Sequence, residues 1–148
     1  MGVAWPYSGT VGKVGNCQIA VTGCDTAPQA PWPGAVRLSW PQAWAADPER
    51  RGQARVPAEV AFQTKPEIAL ALLDEARAGG VPPRGVGADA DDGDHPNFLA
   101  GLETRQAWYA VGVGPDFRVR GQRQAPGPGP RAEALLQALP CGQWRTIR

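Results

Sequence analysis

The stretch "TKPEIALALLDEARAGGVPPRGVGAD" (Thr64–Asp89) joins a helix signal to a strand signal and ends on a carboxylate. Thr64 followed three residues later by Glu67 is a capping box, and Pro66 is tolerated in a first helical turn. Ile68, Leu72 and Ala76 form an apolar stripe at helical spacing, widened by Ala69 and Leu73. Gly79 and Gly80 end the helix, and Pro82 and Pro83 prevent its return. "RGVGAD" (Arg84–Asp89) then reads as a short strand. Asp89 falls at its carboxyl end, where open α/β sheets place functional groups.

Working outward, Cys17–Thr22 ("CQIAVT") and Ala35–Trp40 ("AVRLSW") read as strands, and "TAPQAPWPG" between them as a proline-broken connection. "PQAWAADPERRGQARVP" (41–57) reads as a short helical turn and an exposed polar loop. Downstream, Asp94 is placed to cap a second helix to about Arg105, with Phe98, Leu99 and Leu102 on one face. Ala107–Val113 ("AWYAVGV") is a strand, "QAPGPGPR" a flexible or extended linker, and "RAEALLQAL" a last helix stopping at Pro140. Strands alternating with helices predict an α/β layer structure with some parallel pairing.

The 148 residues suit one domain, and a hydrophobic content of 43% argues against wholesale disorder. Nineteen glycines and 16 prolines predict several irregular segments. A formal net charge of +1 gives no global electrostatic case for nucleic-acid binding. Locally, Arg50, Arg51 and Arg55 read as solvated surface, whereas Arg118, Arg120 and Arg123 fit either surface or contact with a DNA backbone. Cys17, Cys24 and Cys141 form no CxxC pair, so a structural zinc site is not expected; Cys17 is the thiol expected to be buried in a strand. No apolar run is long enough to span a bilayer and no signal pattern opens the chain, so a cytoplasmic protein is expected. Trp40, Trp44 and Trp108 are expected in the core or on strand faces.

"GVGADADDGDH" (Gly85–His95) gathers four aspartates beside the only histidine. It is no EF-hand: counting from Asp89, the fifth residue is Gly93 and the twelfth Ala100. A divalent cation on oxygen ligands fits the residue types, with Asp89 the best single ligand because a strand end fixes its direction. Taken by itself, the cluster reads as a turn and a helix cap, with Asp91 and Asp92 in the turn and His95 on the surface of a first helical turn. "SGTVGKVGN" is no phosphate-binding loop, since Lys13 is followed by Val14; it reads as a glycine-rich hairpin turn or strand lead-in. One histidine and dispersed cysteines support no nucleophilic triad.

Together, "GVAWPYSGTVGKVGNCQIAV", "LSWPQAWAADPERR", "VPAEVAFQTKPEIALALLDEARAGGVP" and "GADADDGD" resemble, in the same order, the middle of bacterial insertion-sequence transposases of the DDE superfamily. The resemblance covers about Gly2–Val119. It implies an RNase-H-like fold and an enzyme that cuts and joins DNA at element ends with two Mg²⁺ ions (Mn²⁺ as a substitute) held by an Asp-Asp-Glu triad. Two metals clamp the attacking and leaving oxygens of an in-line phosphoryl transfer, and carboxylates are the hard ligands they need. Asp89 lies where the family's second aspartate lies, which makes it the catalytic and metal-ligand candidate of this chain.

The departures shape the expectation. The family's first aspartate sits on a strand ahead of the Gly2–Gly9 segment, and its glutamate on a helix beyond the one resembling "RAEALLQALP"; Glu133 comes too early to replace it. Asp91-Asp92 stands where the family has glycine-tyrosine. The expectation is therefore a partial RNase-H-like mixed sheet with flanking helices, lacking the first, central strand and the final catalytic helix. Residues 1–120 form the partial core, 121–130 a Pro/Gly-rich linker and 131–148 a helix and tail. The expected protein is a truncated transposase, inactive alone, whose family partner is DNA. The rival readings are a non-catalytic module that self-associates or pairs with full-length transposase, and a small α/β domain whose acidic turn binds a cation.

Overall fold

The computed structural model describes residues 2–9, 11–27, 30–81, 83–120 and 127–143. The chain divides into two compact units, Met1–Arg84 and Gly85–Arg148.

The first unit opens with a small hairpin, β1 (Tyr7–Ser8) and β2 (Lys13–Val14), paired antiparallel. Its turn uses Gly12 at φ +70°, so the "SGTVGKVGN" segment is the expected hairpin. Cys17, expected buried in a strand, is half-buried and bridges to Ala4 just ahead of the next strand rather than within it. β3 (Ile19–Thr26) and β4 (Pro31–Ser39) form the main antiparallel ribbon. β4 begins well before Ala35 and runs through Pro31 and Pro33, which were expected in a connection. A two-stranded ribbon leaves one backbone side of each strand unpaired, so prolines are accommodated there. The register shifts between Gly23 and Cys24, where Gly34 is the extra residue of a bulge.

Two short helices follow, α1 (Gln42–Ala45) and α2 (Pro48–Gln53), the second capped by Asp47 accepting from Arg50 N at 3.0 Å. The expected polar loop thus starts only after α2. It is organised by Arg51, whose guanidinium donates to the carbonyls of Ala45 (3.2 Å), Pro57 (3.0 Å), Ala58 (3.3 Å) and Val60 (2.8 Å). Trp44 donates from Nε1 to the Val3 carbonyl at 3.0 Å and stands edge-on to Trp40, with the Arg50 guanidinium 4.9 Å from its ring centre.

α3 (Lys65–Ala78) has the full capping box between Thr64 and Glu67 and ends at Gly79, as its sequence predicts. It packs on one face of β3 and β4, burying Ile68 and Leu72 and pairing Glu75 with Arg37 of β4. Burying each of these aliphatic side chains contributes about 1.5–3 kcal/mol. Val36 and Leu38 alternate onto the opposite face and are exposed.

The second unit is a strand–helix–strand crossover. β5 (Val86–Ala88) leads into the one-turn helix α4 (Ala90–Gly93), then α5 (Pro96–Thr104), then β6 (Tyr109–Val111). β6 pairs parallel with β5, in register Val86↔Tyr109 to Ala88↔Val111. Phe98 and Leu102 of α5 are buried. Trp108, expected in the core or on a strand face, directly precedes β6 and is 83% exposed. Its neighbours on the adjoining strand are Gly85 and Gly87, which offer no side chain to pack against its ring. α6 (Ala132–Ala138) follows the Pro/Gly-rich tract, of which residues 121–126 lie outside the described residues.

The architecture is mixed α/β, with two antiparallel strand pairs and one parallel pair beside helices, compatible with a partial RNase-H-like fold. No helix among the described residues is long and apolar enough to cross a membrane.

Candidate metal centre

Asp89 follows β5 directly, at its carboxyl end, and is exposed to solvent. Its backbone is extended (φ −82°, ψ −174°), and its Oδ1 accepts a hydrogen bond from Asp91 N at 3.1 Å, making it the N-cap of α4. Its carbonyl accepts from Gly93 N at 2.8 Å. The parallel neighbour fixes it from the other side: Gly112 N, just beyond β6, donates to the Ala88 carbonyl at 2.9 Å. A Cβ on Gly112 would lie 3.2 Å from Ala90 N and 3.4 Å from Asp89 C. On Gly93 a Cβ would run into the Gly112 carbonyl. Two glycines therefore let backbone meet backbone beside Asp89, while its carboxylate is held by the bond from Asp91 N.

The other acidic residues have different tasks. Asp91 and Asp92 belong to the single turn of α4. Asp94, expected to cap α5, does not: the N-cap there is His95, without a side-chain cap, because Pro96 opens the helix one residue later. Asp94 instead accepts from Gly114 N at 2.8 Å, closing a loop of twenty residues. His95 is half-buried rather than a surface residue, and its Nδ1 is buried without a hydrogen-bond partner among the described residues. On β6, the Tyr109 hydroxyl donates to Glu103 Oε1 at 3.2 Å; desolvation first, and then that carboxylate, push the phenol above its ordinary range. Glu133 lies on α6, where its carboxylate accepts from Gln137 at 3.2 Å.

Among the described residues no three His, Cys, Asp or Glu side chains are arranged to hold a metal ion. At the end of β5 the exposed Asp89 carboxylate is a hard oxygen donor of the type that divalent cations accept. It does not amount to a two-ion centre, which needs several carboxylates converging on ions about 3.5–4 Å apart. The sequence located Asp89 through its strand end. The glycine contact beneath it had no local signal, because Gly93 and Gly112 are brought together only by the parallel pairing of β5 with β6.

In comparison with known protein families, the family model described as "DDE superfamily endonuclease" fits residues 1–144. No curated protein and no solved structure matches.

Proposed function

The chain belongs to the DDE superfamily of endonucleases, and from that premise we propose that Asp89 is its contribution to a metal-dependent DNA strand-cleavage and strand-transfer centre of the insertion-sequence transposase type. The observation that carries this reading is the placement of Asp89: an exposed carboxylate at the carboxyl end of a parallel strand, its Oδ1 bonded by Asp91 N and its backbone packed close to that of Gly112. The ion implied is Mg²⁺, with Mn²⁺ as a substitute, because a hard divalent cation accepts carboxylate oxygens and keeps other positions for water and phosphate. Among the described residues no three such ligands are grouped. The chain alone is accordingly proposed to be inactive, and no cleavage step is assigned to it.

The test is strand cleavage and joining by the purified chain with Mg²⁺ or Mn²⁺, beside Asp89→Asn. No turnover is expected from either. Binding of Mn²⁺, followed by its paramagnetic broadening of amide signals around residue 89, is expected to be weak and to disappear in the Asp89→Asn protein. Asp89-dependent turnover would overturn the inactivity, and Mn²⁺ broadening indifferent to Asp89 would overturn the ligand.

A second reading is favoured by the strand pairing. β3–β4 and β5–β6 are each two-stranded, so every one of these strands has an unpaired edge among the described residues. Exposed edges are templates for further strands. A partner that lends a strand and the remaining carboxylates, such as a full-length transposase, would cover them. Co-purification with an intact relative supports this pairing; a chain that stays monomeric and ignores that relative counts against it.

A further inference from the structure

Beyond β6 the chain makes a narrow rung on which two arginines face each other. Val119 N donates to the Pro130 carbonyl at 3.0 Å, and Ala132 N to the Phe117 carbonyl at 2.7 Å. Arg118 and Arg131 are the antiparallel pair between these bonds. Such a non-hydrogen-bonded pair brings facing Cα atoms to about 4.5 Å with both side chains on one side, where like charges destabilise the pairing. Gly129 makes the approach possible, since a Cβ there would run into the Val119 carbonyl.

The structure relieves this repulsion only in part. Arg131 Nη1 pairs with Asp116 Oδ1 at 3.0 Å. Arg118 Nη1 donates to the Gly129 carbonyl at 2.9 Å, a neutral oxygen, and no carboxylate among the described residues pairs with it. Arg120, two residues on, is exposed. Three guanidinium groups thus stand against one carboxylate on a chain whose formal net charge is only +1.

We propose that this arginine hairpin, residues 116–120 with 129–132, is a contact for the phosphate backbone of duplex DNA. The inference rests on the DNA-processing reading above for the identity of the polyanion. Its own support is the solvent-facing charge, which for Arg118 has no carboxylate partner among the described residues, and its position. Exposed guanidinium groups gain little from a single small anion in water. A linear polyanion is different, because each neutralised phosphate releases condensed counterions. Guanidinium also matches phosphate geometry bidentately. The acidic turn 89–94 repels DNA, so attraction must come from elsewhere in the unit. The chain enters the hairpin just after Gly114, whose N–H donates to Asp94 of that turn at 2.8 Å. Arg118 is four residues further, within about 14 Å of Gly114 even if the chain were fully extended.

The experiment is a salt series of DNA binding by the full chain, read by fluorescence anisotropy on short duplexes of two unrelated sequences. R118Q/R120Q is expected to weaken binding about 10-fold at low salt, equally for both sequences, and to make the log K against log salt slope shallower by about 2. D116N, which frees Arg131, is expected to tighten binding several-fold. The charge-matched control R55Q/R84Q should leave the slope unchanged. Unaltered binding by R118Q/R120Q, an equal loss in the control, or absence of DNA binding by the wild type overturns the hairpin. If R118Q/R120Q does not fold by circular dichroism, D116N decides: no gain in affinity also overturns it. Mn²⁺ broadening at Asp89 separates the two readings, since it can survive while the hairpin effect fails, or fail while the hairpin effect survives.

Discussion

The carbonyl of Gly112 occupies the space that a Cβ on Gly93 would fill, which ties the turn after β5 to the end of β6. Gly93→Ala gains helix propensity in α4 but must push two backbones apart, and the steric cost dominates. A net destabilisation of about 3 kcal/mol is expected in urea unfolding. Gly87→Ala is the internal control: it lies in β5, and its nearest neighbour, the Ala110 carbonyl, is 4.0 Å from the added Cβ. That change should be close to neutral. Equal effects at both positions would show that the backbone contact is unimportant.

The difference between these glycines marks where sequence reasoning stops. α3 was legible because its signals are local: Thr64 and Glu67 are three residues apart, and Ile68 and Leu72 repeat at helical spacing. Asp89 was legible because a strand end needs only the strand. Pro31 and Pro33 misdirect the reading of β4, since whether a proline fits a strand depends on how many neighbours that strand has. Asp94 misleads for a related reason: a nearby helix start and a distant backbone N–H compete for its carboxylate, and Gly114 is invisible from position 94. The pairing of Arg118 with Arg131 spans the Pro/Gly-rich tract and has no periodic signature at all.

Sequence alone groups Arg51 with solvated arginines, yet its guanidinium gathers four carbonyls of the α1 end and the following loop. A lysine carries the charge but has a single ammonium in place of the planar fork. Arg51→Lys is expected to cost about 2 kcal/mol, with carbonyls left short of donors. The local signature is faster amide exchange or proteolysis confined to residues 54–63. Arg50→Lys, beside it on α2, should leave that loop protected.

Gln106 closes α5 in the left-handed region, at φ +51°, with its N–H donating to the Glu103 carbonyl and Ala107 N to the Leu102 carbonyl. This is a helix C-terminus that glycine satisfies without a Cβ penalty. Gln106→Gly is therefore expected to stabilise the protein by about 0.5–1 kcal/mol despite glycine's greater freedom when unfolded. A thermal shift upward checks it. A fall in the melting temperature would mean that the Gln106 side chain makes a contribution larger than its backbone strain.

The capping box of α3 gives the chain a pH dependence with a definite sign. Glu67 Oε2 accepts from Thr64 N at 2.7 Å and from Thr64 Oγ1 at 2.8 Å, and these two bonds, the backbone one first, hold its carboxyl below the ordinary 4.5. A carboxyl whose folded value is depressed contributes stability above the unfolded value and loses it as the pH falls through the folded one. The wild type should therefore exceed Glu67→Gln in stability by a constant margin at neutral pH, and the margin should shrink below about 4.5. Thr64→Ala removes the reciprocal acceptor and is expected to cost about 1 kcal/mol at neutral pH. Urea unfolding of the three proteins at descending pH measures both effects. A margin between wild type and Glu67→Gln that stays flat through the acid range would mean that the carboxylate does not feel Thr64 in solution.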